Sequence, residues 1–173
     1  MKNPAMEKRL TDEISEFIDS RMSLNLSTID PDGLPFASYA PFATGDNCIY
    51  LLLSDIAGHS VNLKNNPNAS VLIIEDEQDA QHLFARVRVN LTLTSEHQAH
   101  NSEGYNTGLK ILADRHGEMI ENLASHTDFN LFKLSPKKGR YVKGFGKAYS
   151  FENCLNGERL VHMRDGHKKR EEA

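Results

Sequence analysis

Residues 83–94 alternate so regularly that one local structure suits them. Leu83, Ala85, Val87, Val89, Leu91 and Leu93 are apolar, whereas Arg86, Arg88, Asn90, Thr92 and Thr94 between them are polar. That period of two predicts one long strand with a face in a core and a face outside it. Arg86 and Arg88 then stand two residues apart on the outer face, where their charges repel. They call for open water, carboxylate partners, or an anionic ligand or partner chain.

A strand of this kind needs neighbours, and the rest of the chain supplies them. Met22, Leu24 and Leu26 alternate with polar residues, and Asp30-Pro31-Asp32-Gly33 provides turn chemistry before a second extended stretch, 34–43. Residues 48–53 and 69–74 are apolar on both sides and are read as strands buried on both faces. Two further strands, 129–134 and 140–150, are predicted with a turn at Pro136-Lys137-Lys138-Gly139. Leu10, Ile14, Phe17 and Ile18 keep helical spacing, so the N-terminal segment should pack on the sheet. A short helix over about 57–65, capped by Ser54 or Asp55 and stopped near Asn66-Pro67, puts His59 and Leu63 on one face. Between Tyr105 and Leu123 the helical spacing is broken at Gly117, giving two helices or one kinked helix. About seven mostly antiparallel strands in sequential order with peripheral helices place the chain in a mainly β, α+β class, as a barrel.

The length of 173 residues suits one domain, 1–173, with a polar tail from about residue 152. With 20 Lys and Arg against 24 Asp and Glu, nothing recommends nucleic acid as a partner. No apolar run is long enough for membrane insertion, and the polar N-terminus lacks a signal sequence, so a cytoplasmic protein is expected. Cys48 and Cys154 are read as reduced thiols.

Gly144-Phe145-Gly146 lacks the rest of a dinucleotide fingerprint and is read as a bulge or close backbone approach inside a strand. The pairs His97 with His100 and His162 with His167 lack the carboxylate and cysteine company of structural metal sites. His116 lies on the apolar stripe of its helix as a satisfied boundary histidine, and His126 borders a loop. His167, in Asp165-Gly166-His167-Lys168-Lys169-Arg170, is by its surroundings a solvated tail residue.

A resemblance covering nearly the whole chain gives it another role. The segment 22–42 resembles the opening hairpin of the pyridoxamine-phosphate-oxidase-like, FMN-binding split β-barrels. Ser38-Tyr39-Ala40-Pro41-Phe42, His59 with Asn62-Leu63, Ile74-Glu75-Asp76, Leu83 to Arg86 with Arg88, Asp128-Phe129 with Leu131-Phe132, 142–149, and Gly166-His167 are together similar to the haem-utilisation (HugZ/HutZ-like) branch. The resemblance implies a homodimer of split barrels that binds haem b at the subunit interface. It further implies opening of the porphyrin with O2 and an external electron donor, releasing iron. It makes His167 the haem-iron ligand and places Arg88, Arg86, His59 and Asp128 at the site, with Asp128 accepting a hydrogen bond from the proximal imidazole, in one arrangement from the other protomer.

The chemistry of the group agrees with these residue types. Haem is an apolar disc with two propionates, so it suits an apolar slot, cations at the rim and one imidazole. Two alternatives stay open. A haem carrier or storage protein would use the same His167 without oxygen chemistry. An FMN-dependent oxidoreductase of the same fold would use Arg86 and Arg88 for the phosphate.

Overall fold

The computed structural model describes residues 4–157 and 160–163. Helix α1 (Pro4–Asp19) is followed by the hairpin β1 (Ser23–Ile29) and β2 (Pro35–Pro41), then β3 (Ala43–Gly45) and β4 (Cys48–Ser54). A 3-10 turn leads into α2 (His59–Asn65), β5 (Asn68–Ile74) and the long β6 (Arg88–Gln98). Helices α3 (Glu103–His116) and α4 (Met119–Ala124) precede β7 (Phe129–Val142), β8 (Ala148–Glu152) and the short β9 (Val161–His162). The strands form one antiparallel, curled sheet ordered β2-β1-β5-β6-β7-β4-β3, with β8 and β9 continuing from the far half of β7. This is the expected α+β split barrel.

Its main core fills the concave side. Leu24 and Leu26 of β1, Val71 and Ile73 of β5, and Val89, Leu91 and Leu93 of β6 point inward and are sealed by Leu10, Ile14 and Ile18 of α1. A second core lies outside β4, where Tyr50 and Leu131 pack under Tyr105, Leu112 and Ile120 of α3 and α4. Residues 48–53 are therefore covered on both sides, as their composition requires. Gly117, with φ 82°, ends α3 and separates it from α4. Asp30 takes the N–H groups of Asp32 and Leu34 on its side chain and closes the first hairpin as its turn residues imply.

Four expectations are corrected. Residues 83–87 are not strand: 83–85 form a 3-10 turn, and Leu83 and Phe84 are 65% and 86% exposed. Alternation is not enough without a partner. β5 ends at Ile74 opposite Arg88, and the returning chain is tied instead by Val87 N–H to Glu75 Oε1 at 2.7 Å and by the Arg86 guanidinium to the Glu75 carbonyl.

There is no turn at 136–139, which continues β7. Pro136 sits at a bulge where Lys137 is the extra residue, because proline has no N–H for the ladder. The missing Cβ of Gly139 admits the Phe151 ring rather than a turn. Gly144-Phe145-Gly146 is no strand bulge. It is the tip of the β7–β8 hairpin, closed by Lys143 N–H to the Lys147 carbonyl at 3.0 Å.

Finally, β5 is buried on one face only. Ala69, Val71 and Ile73 are inside, whereas Leu72 and Ile74 lie half-exposed on the convex face. The described residues supply no complete second layer there.

Candidate functional site

The convex face presents continuous rows of side chains. Along one, Tyr39, Asn25, Leu72, Asn90, Arg140 and Ser150 are consecutive register partners across six strands. At its β1–β5 side a groove of about 520 Å³ is lined by Arg21, Asn25, Tyr39, Leu72, Ile74 and Arg86 among others. Leu72 and Ile74 are apolar side chains on its floor, among the polar and charged residues Asn25, Arg21, Asp76 and Arg86 and the Tyr39 ring. Arg21 is paired with Asp76 at 2.9 Å.

Arg86 and Arg88 sit at this end but do different things. Arg86 spends Nε and Nη2 on the Glu75 carbonyl and reaches Glu77 at 3.4 Å, so it holds the 75–87 loop closed and presents one side to the groove. Arg88, between Ile74 and Val142, donates Nη1 to the Arg86 carbonyl at 2.8 Å. Among the described residues it has no carboxylate partner. Of the two, Arg88 is the guanidinium left for an anion. Beyond it in the same row lie Val142 and Ala148, and the Ala148 carbonyl receives the N–H of Met163 at 2.8 Å. His167 lies outside the described residues; the last described residue, Met163, is at this edge.

His59 and Asp128 are placed by other elements. His59 is 7% exposed, and its Nδ1 lies 2.9 Å from Ser38 Oγ, while that hydroxyl reaches the Leu26 carbonyl at 3.3 Å. Burial pushes its pKa below the usual histidine value, so the ring is a neutral, internally satisfied group tying α2 to β2. Asp128, just before β7, is half-exposed and accepts from Ser54 Oγ at 2.6 Å. Its carbonyl receives Asp55 N–H at 2.9 Å and Asn130 Nδ2 at 3.0 Å. Asp55 gathers Lys64, Ser60 and Asn130, and the Lys64 ammonium leads in holding its carboxyl below the ordinary range. Ile56 stands 89% exposed beside this network.

Asp128 precedes one end of β7, a strand of 14 residues, and Arg88 pairs with Val142 at the other, a path of roughly 40 Å along the strand. His59 lies on α2, bonded to Ser38 one residue from the groove residue Tyr39.

Sequence reading missed Asn130 and the partnership of Ser54 with Asp128. Ser54 was legible only as a cap of the 57–65 helix, but it caps the 3-10 turn ahead of it, accepting the Ile56 N–H at 3.1 Å, and α2 begins after Gly58 with no side-chain cap. Asn130 carries no motif. The reading of His116 as a satisfied boundary histidine stands: its Nε2 bonds the Phe42 carbonyl at 2.8 Å. His162 Nε2 bonds the Gly146 carbonyl at 3.0 Å. Among the described residues no helix is long and apolar enough to cross a membrane.

Residues 10–143 match the family model described as pyridoxamine 5'-phosphate oxidase. Over 172 residues, 98% of this chain and 96% of the relative, the sequence is 39% identical to a protein of Vibrio cholerae serotype O1 called heme oxygenase HutZ. The crystal structure of HutZ from Vibrio cholerae, described there as a heme storage protein, superposes with a TM-score of 0.74 at 37% identity, covering 78% of this chain and 96% of that one. Campylobacter jejuni ChuZ gives 0.81 at 30% identity, covering 100% and 69%.

Proposed function

Since this chain belongs to the haem-utilisation branch of the pyridoxamine 5'-phosphate oxidase family, we propose that it binds haem between two copies of itself and opens the porphyrin oxidatively, releasing iron. The observation that carries the reading is the unpartnered apolar floor of the convex groove. Leu72 and Ile74 sit in a strand whose composition asks for burial on both faces, yet they remain half-exposed. An apolar disc with anionic edges suits that floor and the guanidinium of Arg88 beside it.

The residues present fit the group in kind: an apolar surface, a cation without a carboxylate, and a carboxylate with a free oxygen for an imidazole N–H. In this reading Arg88 takes a propionate, Leu72 and Ile74 bear on the ring, and His167 ligates iron. Arg86 shapes the rim by holding its loop. Asp128 accepts the other ring N–H of His167, which fixes the tautomer and raises the donor strength of the ligating nitrogen. When bound, haem would be the substrate and would supply the iron at which O2 reacts, with electrons from an external donor, to open the ring to a bilin.

In this reading Asp128 comes from a second copy, because Asp128 and the Arg88 row lie at opposite ends of β7. His167 is four residues beyond Met163, a reach of at most roughly 14 Å whatever the conformation. His59 supports the Asp128 end from within by anchoring α2 to β2.

Storage without turnover is the second reading, favoured by the description of the HutZ crystal structure. Hemin titration followed by ascorbate under air separates the two. The oxygenase loses its Soret band and yields a bilin, and a storage protein keeps the band. His167→Ala should abolish the spectrum of imidazole-ligated haem; an unchanged Soret band and rate would overturn the ligand assignment. A yellow protein binding FMN and indifferent to hemin would replace the proposal with the flavin reading.

A further inference from the structure

Of the eight phenylalanines, Phe84 and Phe145 are the most exposed, at 86% and 60%. They stand on two connections that leave the sheet together. The 75–87 loop joins β5 to β6 between Ile74 and Arg88, the 143–147 turn joins β7 to β8 between Val142 and Ala148, and Arg88 and Val142 are register partners. The His82 ring bridges the two, its centroid 6.1 Å from that of Phe84 and 4.9 Å from that of Phe145, at 83° to the latter. Edge-to-face contact of this kind is an attractive aromatic geometry. Neither backbone is loose, because Arg86 holds the Glu75 carbonyl on one side and His162 Nε2 holds the Gly146 carbonyl on the other. Two phenyl faces are thus held in water.

A joined apolar patch on a folded surface marks a binding site more often than an isolated exposed residue does, and the rim of this one tells its chemistry. Arg88 stands at the root of the loop and Lys147 beside the turn, and among the described residues neither pairs with a carboxylate. We infer that Phe84 and Phe145, spaced by His82, form an apolar wall on which the porphyrin ring of haem packs, and that this wall selects a broad flat ring over a compact anion. The inference rests on the proposed binding of haem beside Arg88. A phosphate or small carboxylate would use the two cations and leave both phenyls wet. A disc with anionic groups on one edge uses both, since its face covers the rings while its edge meets the charges. Because the rings come from separate connections, only a ligand wide enough to span them gains from both.

The test uses gallium protoporphyrin IX, a diamagnetic stand-in for haem whose ring current displaces the NMR signals of protons lying over its plane. Protein labelled with carbon-13 at the phenylalanine rings gives eight sets of signals, and F84L and F145L assign two of them. Expected on saturation are upfield shifts of both sets, with those of the buried Phe42 and Phe132 in place. F84S and F145S should each lose hemin to an excess of a competing acceptor about tenfold faster, at an unchanged melting temperature of the haem-free protein, because neither ring is part of the core.

Porphyrin that binds, judged by its Soret shift, and leaves either set in place would overturn the wall while the haem reading stands; unchanged hemin loss from both serine variants would do the same. No Soret shift at all would overturn the haem reading and the wall with it. Signals that move with protein concentration alone, and not with porphyrin, would assign the two rings to contact with a second copy and also overturn the inference.

Discussion

If the site is shared between copies, two defective variants should repair one another. The geometry makes the case quantitative. β7 runs 14 residues from Phe129 to Val142, which is roughly 43 Å at the usual rise. Met163 is fastened to Ala148, the register partner of Val142, and the four residues to His167 span at most roughly 14 Å. Even with a third of the strand length lost to curling, the gap to Asp128 of the same copy is about twice that reach.

In a two-fold dimer each site then takes His167 from one copy and Asp128 from the other. Pairing His167→Ala with Asp128→Asn leaves one site doubly defective and the other fully wild type. Heterodimers isolated with two different affinity tags should form bilin at about half the wild-type rate, and a randomly exchanged mixture at about one quarter. A site built within one copy would contain no wild-type pair in any of these dimers. Isolated heterodimers no more active than the mean of the two parents would therefore refute the reasoning.

Other consequences are local. Leu72→Lys should weaken haem binding at least tenfold in a hemin titration while shifting the melting temperature of the haem-free protein little, because the side chain is half-exposed on the convex face; equal affinity would remove the groove floor from the site. Gly139→Ala should cost about 1–3 kcal/mol by urea denaturation, since the new Cβ collides with the buried Phe151 ring. A neutral result would mean that the ring has room to move.

Glu13 links α1 to β7 through Tyr141 at 2.7 Å and Lys143 at 2.7 Å. Burial raises its pKa, but the hydrogen bonds from Lys143 and Tyr141 outweigh this and leave the carboxyl below its ordinary value of 4.5. A depressed folded pKa gives stability that is complete above the unfolded value and is lost as pH falls through the folded one. Melting temperature should therefore drop below about pH 4.5, and Glu13→Gln should flatten that drop; parallel curves would show that other carboxylates govern it.

What could be read from the residues was whatever repeats at short range. The alternation from Arg88 to Leu93, the Asp30–Gly33 turn and the amphipathic Leu10–Ile18 stripe each follow from the geometry of neighbouring residues, and together they imply an antiparallel barrel with a helix across it. The same logic failed at 83–87, where the pattern was right and no adjacent strand existed to pair with it. It failed again at Pro136–Gly139, whose residue types suit a turn but whose environment is a bulge beneath Phe151.

The candidate residues were found through their likeness to a family rather than through any local rule. A sequence carries no measure of the length of β7, and that length sets Arg88 and Asp128 at opposite ends of that strand. Composition by itself determined that residues 69–74 want two covered faces. Only the folded chain decided that one of those faces stays partly open, because burial is a property of what the sheet packs against, and the described residues cover Leu72 and Ile74 on the convex side of β5 only in part.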